Sequence, residues 1–129
     1  MADSPHQTIA PDGIYRPATY AHAIRAGDTL YVAGQVARDA QGALVGLGDP
    51  VAQARQVYAN LGAVLAAAGA RPEHVVKVTT YLVDPADGAA ATAERLAYFG
   101  DHRPAHTGLI VAALGPDVRL EVEVIAVLS

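Results

Sequence analysis

The chain has 129 residues, 52% of them hydrophobic, with no cysteine and a formal net charge of −4. That is enough for one domain with its own core, and it excludes disulfides, thiolate metal sites and thiol nucleophiles. Lys77 is the single lysine and no basic stripe offers itself to phosphates, so nucleic acid is not an expected partner.

Further copies of the chain are expected partners, because a charged fraction of 17% is low for the surface of a free monomer. The N-terminus has neither the basic nor the apolar region of a secretory signal, and no apolar run approaches the ~20 residues of a membrane span. The expectation is one domain over residues 1–129, cytoplasmic and without membrane association.

Residues 1–13, with Pro5, Pro11 and Gly13, read as an arm or a short edge strand. Alternation from Tyr20 to Arg25, the turn Ala26-Gly27-Asp28 and the run Thr29 to Val36 predict a hairpin. Arg38 to Gly48, with three glycines, is a loop. Asp49-Pro50 predicts a helix start: the carboxylate can cap free N–H groups, and proline fits the first helical position. Val51, Ala54, Tyr58, Leu61, Leu65 and Ala68 recur at steps of three and four, with Gln53, Gln56 and Asn60 off the stripe and Gly69 ending the helix.

His74 to Val83 is rich in β-branched residues and predicts a strand. Asp84-Pro85 repeats the capping pattern and opens a second helix that ends at Phe99-Gly100, although Gly88 weakens its first turn. Thr107 to Leu114 and Val118 to Leu128 predict two strands joined by Gly115-Pro116-Asp117.

The order is β-β-α-β-α-β-β, an α+β domain. Two helices cannot cover both faces of such a sheet, so both are expected on one face. On the last strand Leu120, Val122, Val124 and Ala126 should meet the helices. Arg119, Glu121, Glu123, Ile125 and Val127 make the opposite side, where carboxylates beside large aliphatics suit subunit packing with polar clefts better than open water.

Gly34-Gln35, Gln53-Ala54-Arg55-Gln56, Val76-Lys77-Val78-Thr79, Pro104-Ala105 and Leu120-Glu121-Val122-Glu123-Val124-Ile125-Ala126 stand in the order and at the intervals of the Rid (YjgF-type) family, which the chain resembles over nearly its whole length. The resemblance implies a mixed sheet with two helices on one face, a fold also seen in trimeric bacterial chorismate mutase, and a homotrimer with three clefts between subunits. It also implies a cofactor-free, metal-free enzyme that hydrolyses reactive imines and enamines to a keto acid and ammonia.

The family's substrate-gripping arginine maps onto His106, its neighbouring backbone donors onto Thr107, Gly108 and Gly34, and its cleft tyrosine onto Tyr20. Its water-positioning glutamate maps onto Glu121 and a cleft asparagine onto Thr92. If Glu121 lies near His106, as the resemblance implies, the two form an acid–base dyad.

His106 departs from the family pattern. Guanidinium is permanently charged and forks onto a carboxylate, whereas imidazole offers single hydrogen bonds and titrates near neutrality. Three outcomes stay open. Arg103 or Arg119 supplies a substitute clamp and imine hydrolysis survives; the cleft serves other acid–base chemistry, such as isomerisation, cyclisation or C–C cleavage in a biosynthetic pathway; or the trimer binds a metabolite without turnover.

Plainer roles stand beside these. His106 can be a hydrogen-bonded histidine at a subunit seam, Glu121 an ion-pair partner of Arg119, Glu123 structural and Tyr20 an interface aromatic. His22 and His74 read as structural. His102 and His106 have metal-pair spacing, but Pro104 between them breaks a helix. The glycines of the 38–48 loop lack the lysine of a phosphate loop, and no serine-hydrolase elbow is present.

Overall fold

The computed structural model describes residues 5–129. The elements are β1 (His6–Ile9), β2 (Ala23–Ala26), β3 (Thr29–Gln35), α1 (Pro50–Ala67), β4 (Val75–Leu82), α2 (Gly88–Phe99), β5 (Ala105–Ile110) and β6 (Leu120–Val127). All six strands form one sheet in the order β1-β2-β3-β6-β4-β5. Pairing is antiparallel except between β4 and β5, which run parallel on either side of the α2 crossover. The sheet is therefore mixed, as expected, and residues 6–9 take the edge-strand alternative.

Local chemistry sets the helix boundaries. The Asp49 carboxylate accepts from Ala52 N at 3.1 Å, and Pro50 follows it as the first helical residue. Gly69, at φ +74°, supplies the left-handed residue after α1, and Ala70 N then donates to Leu65 O. Asp84 accepts from Ala86 N, and a 3-10 turn over Pro85–Asp87 leads into α2, which begins at Gly88.

Both helices pack on one face. Ala54, Val57, Tyr58, Leu61, Val64 and Leu65 of α1, with Ala91 and Phe99 of α2, share one core with Leu30, Val78, Leu120, Val122, Val124 and Ala126. Burying each such Leu or Val side chain contributes about 1.5–3 kcal/mol. The alternation of β6 falls as the sequence predicts, with Leu120 to Ala126 inward and Glu121 to Val127 outward. In the single chain the outward face carries half-exposed Tyr31 and Leu109.

The expected α1 stripe needs correction at three positions. Val51 is exposed, while Gln53 and Asn60, expected off the stripe, are buried. The reason is polar and non-local. Gln53 Nε2 donates to Gly46 O and Asp117 O while its Oε1 accepts from Arg119 N. Asn60 Nδ2 donates to Val36 O and Arg38 O. The two buried amides tie the 38–48 loop and the 111–119 connection to the helix, finding in backbone carbonyls the partners that buried polar groups need.

Strand ends also shift. The first hairpin strand begins at Ala23 rather than Tyr20, because the buried His22 ring turns back to bond Tyr15 O at 2.6 Å and Gln35 Nε2 at 3.2 Å. β5 ends at Ile110, and β6 begins at Leu120.

Candidate functional site

The predicted site residues fall into two groups on opposite faces of the sheet. β5 is in register with β4, so His106 lies beside Val78 and Gly108 beside Thr80. Val78 and Thr80 are buried on the helix side, which places His106 and Gly108 on that side too. Glu121, between inward Leu120 and Val122 and opposite Tyr81, points to the other face. Within one chain His106 and Glu121 are not brought together.

The first group surrounds a cavity of about 120 Å³ whose lining includes Thr80, Thr92, Arg95, His106 and Gly108. His106 Nε2 lies 2.9 Å from Thr80 Oγ1. A Cβ on Gly108 would stand 3.4 Å from His106 Cε1, so the glycine leaves room for the imidazole to lie over the strand. Desolvation, then the charges of Arg95 and Lys77, lowers the His106 pKa from its ordinary 6.5 and favours the neutral ring. Buried Tyr58 sits behind Thr80, its phenol held far above its ordinary range chiefly by burial.

The second group centres on Glu121. Its carboxylate occupies the space beside Gly34, where an added Cβ would stand 2.2 Å from Glu121 Oε2. Gly34 lies where the β3–β6 register shifts between Val32 and Gln35, so the carboxylate rests against an irregular stretch of backbone. Burial, and secondarily the Glu123 charge, raises the Glu121 pKa above its ordinary 4.5. Glu123 accepts from the Tyr81 hydroxyl at 2.5 Å, in keeping with a structural role. Thr107 lies on this same face, where its hydroxyl accepts from Lys77 Nζ at 2.5 Å. Tyr20 is half exposed beside Arg16 and Pro17.

Neither expected substitute clamp lines the His106 cavity. Arg103 donates to Gly100 O and His102 O at the C-terminal end of α2. Arg119 binds Asp87 through two nitrogens, at 2.8 and 3.0 Å, with Asp84 nearby. Asp87 is buried, so this pair fixes the turn before α2, and Arg119 is not the partner of Glu121.

Arg95 in the His106 cavity was missed in the sequence. The signal was present, since Gly88, Thr92 and Arg95 recur along one face of α2. Two further histidines have backbone partners: His74 Nδ1 accepts from Arg71 N, and His102 Nε2 contacts Val75 O at 2.7 Å. No cluster of three metal-ligating residues occurs among the described residues. Likewise, no helix of these residues is long and apolar enough to cross a membrane.

Comparison with known proteins gives a consistent result. A family model described as Endoribonuclease L-PSP matches residues 12–128. A RutC family protein of Pyrococcus horikoshii is 41% identical over 107 residues, which cover 83% of this chain and 85% of the relative. A mouse protein named 2-iminobutanoate/2-iminopropanoate deaminase is 37% identical over 108 residues, covering 84% and 80%. The crystal structure of RidA from an Antarctic Psychrobacter superposes with a TM-score of 0.88 at 33% identity, over 94% of this chain and 98% of that one.

Proposed function

This chain belongs to the Rid (endoribonuclease L-PSP) family, and from that premise we propose that it is a cofactor-free deaminase of small 2-imino acids. It works as a homotrimer whose clefts each join the His106 half-site of one copy to the Glu121 half-site of the next. The observation that carries the reading is the division of the site residues between two faces of one sheet. A second copy, laying its open face against the exposed β5 edge and α2, would unite them. The low charged fraction and the exposed aliphatics on β5 support the same packing.

The chemistry follows from the two titratable groups. With the substrate as an iminium, the water oxygen bonds to the imine carbon, the π pair moves to nitrogen, and one water proton passes to Glu121. Glu121 then returns that proton to the amine. The C–N bond breaks with its electron pair leaving on ammonia, and His106 takes the hydroxyl proton as the carbonyl forms. The products are a 2-oxo acid, ammonia and a proton that His106 gives back to water.

A neutral imidazole and a carboxylate with a raised pKa suit proton exchange near neutrality better than ordinary values would. Gly34 and Gly108 supply backbone contacts, Thr92 and Thr107 polar contacts, and Tyr20 closes the cleft.

The test is release of ammonia and 2-oxobutanoate from freshly generated 2-iminobutanoate. Acceleration by the wild type that falls by about 10²-fold or more in His106→Ala and in Glu121→Gln supports the roles. No acceleration refutes the deaminase reading and leaves acid–base chemistry on another substrate. The ribonuclease activity named in the family description finds no support in the surface. The chain carries nine cationic against thirteen acidic residues, and Arg25, Arg55, Arg71 and Arg119 are engaged with carboxylates.

A further inference from the structure

Seven of the eight arginines have a carboxylate or carbonyl partner. Arg16, Arg25, Arg55, Arg71 and Arg119 face acidic residues, and Arg38 and Arg103 donate to backbone carbonyls. Arg95 has no hydrogen-bond or ion-pair partner among the described residues, although α2 holds it half-buried at the wall of the His106 cavity. A half-buried guanidinium without an anion is an incomplete arrangement, since its five donors need acceptors and its charge a counter-ion.

The rest of the cavity wall is suited to an acidic guest. Thr80 and Thr92 bring hydroxyls, Gly108 exposes backbone on an edge strand, and His106 offers an imidazole; no carboxylate lines the space.

We infer that Arg95 is the anion clamp of this site, and that it takes the carboxylate of a small 2-imino or 2-oxo acid from the helix side while His106, on the strand side, is left to move protons. The inference deepens the proposed deaminase function and rests on that reading for the identity of the guest. The site has thus exchanged its cation between elements: the position after Pro104-Ala105 is a titratable ring, and the permanent charge stands on α2, one turn beyond Thr92. A planar guanidinium so placed can bind both oxygens of a carboxylate, which fixes the orientation of the adjoining imine carbon. The specificity that follows is for acids over amides or esters of the same skeleton.

The experiment compares wild type, Arg95→Gln and Arg95→Lys by calorimetric titration with 2-oxobutanoate and with its neutral amide, alongside the imine assay. Gln keeps the length and helix preference of the side chain, and thermal melting checks the fold. The expected result is 2-oxobutanoate binding weakened about tenfold to a hundredfold in Arg95→Gln and less in Arg95→Lys, with amide binding unchanged. KM for 2-iminobutanoate should rise in parallel.

Unchanged 2-oxobutanoate binding in Arg95→Gln, or equal loss for acid and amide, overturns the inference. The two readings separate. Arg95-dependent binding of the acid without imine turnover by the wild type keeps the clamp and removes the deaminase function. Turnover that ignores Arg95→Gln keeps the function and removes the clamp.

Discussion

Gly34→Ala should disable the site while leaving the fold nearly intact. Gly34 does not have positive φ, so alanine is allowed there by the backbone and the effect must come from contacts. The new Cβ would meet Glu121 Oε2 at 2.2 Å, Cδ at 2.5 Å and Cγ at 2.7 Å. Ordinary non-bonded contact begins near ~3.5 Å, so the carboxyl group must retreat by roughly 1 Å. Because Cγ is also too close, rotation of the carboxylate alone does not suffice and the side chain must change its torsions.

That change of torsions costs about 0.5–1.5 kcal/mol, a small loss of stability. A catalytic group displaced by about 1 Å loses on the order of 10²-fold in rate. Urea unfolding paired with kcat/KM for 2-iminobutanoate reads both. A rate within about threefold of wild type would refute the role given to the Glu121 carboxylate, and global unfolding of the variant would refute the claim that the fold tolerates the alanine.

Three further outcomes follow from the structure. An NMR titration should place the His106 midpoint below 6.5, with Arg95→Gln raising it because one neighbouring cation is removed while desolvation remains; a wild-type midpoint at or above 6.5 would contradict the described environment. Because the folded chain then binds fewer protons than the unfolded chain between the lowered midpoint and 6.5, His106 makes stability rise with pH across that window, and below it the dependence vanishes. Asp49→Ala should cost about 1 kcal/mol by removing the bond to Ala52 N, and an unchanged melting temperature would deny the cap its role.

The sequence was most legible where one residue decides a local question. Asp49-Pro50, Asp84-Pro85 and Gly69 mark helix ends by chemistry that acts within a few residues, and the alternation of β6 assigned its two faces correctly. Periodicity failed at Gln53 and Asn60 because their burial depends on carbonyls far away in the chain, such as Asp117 O. Arg119 misled for a similar reason: it stands beside Glu121 in sequence, but its guanidinium turns to Asp87, supplied by another element. The site was legible as a set of residues and not as an arrangement, since strand pairing decides which residues share a face. That pairing separates His106 from Glu121 and sets Arg95 beside His106.

The central claim, that each cleft is shared between copies, is tested most directly by mixing two inactive variants. His106→Ala and Glu121→Gln are denatured together, refolded and confirmed as mixed trimers by native mass spectrometry. If the halves come from neighbouring copies around a ring, about a quarter of the clefts in a random equal mixture receive both intact residues, and about that fraction of wild-type deaminase activity should return. Mixed trimers with no activity above that of the separate variants would contradict the account.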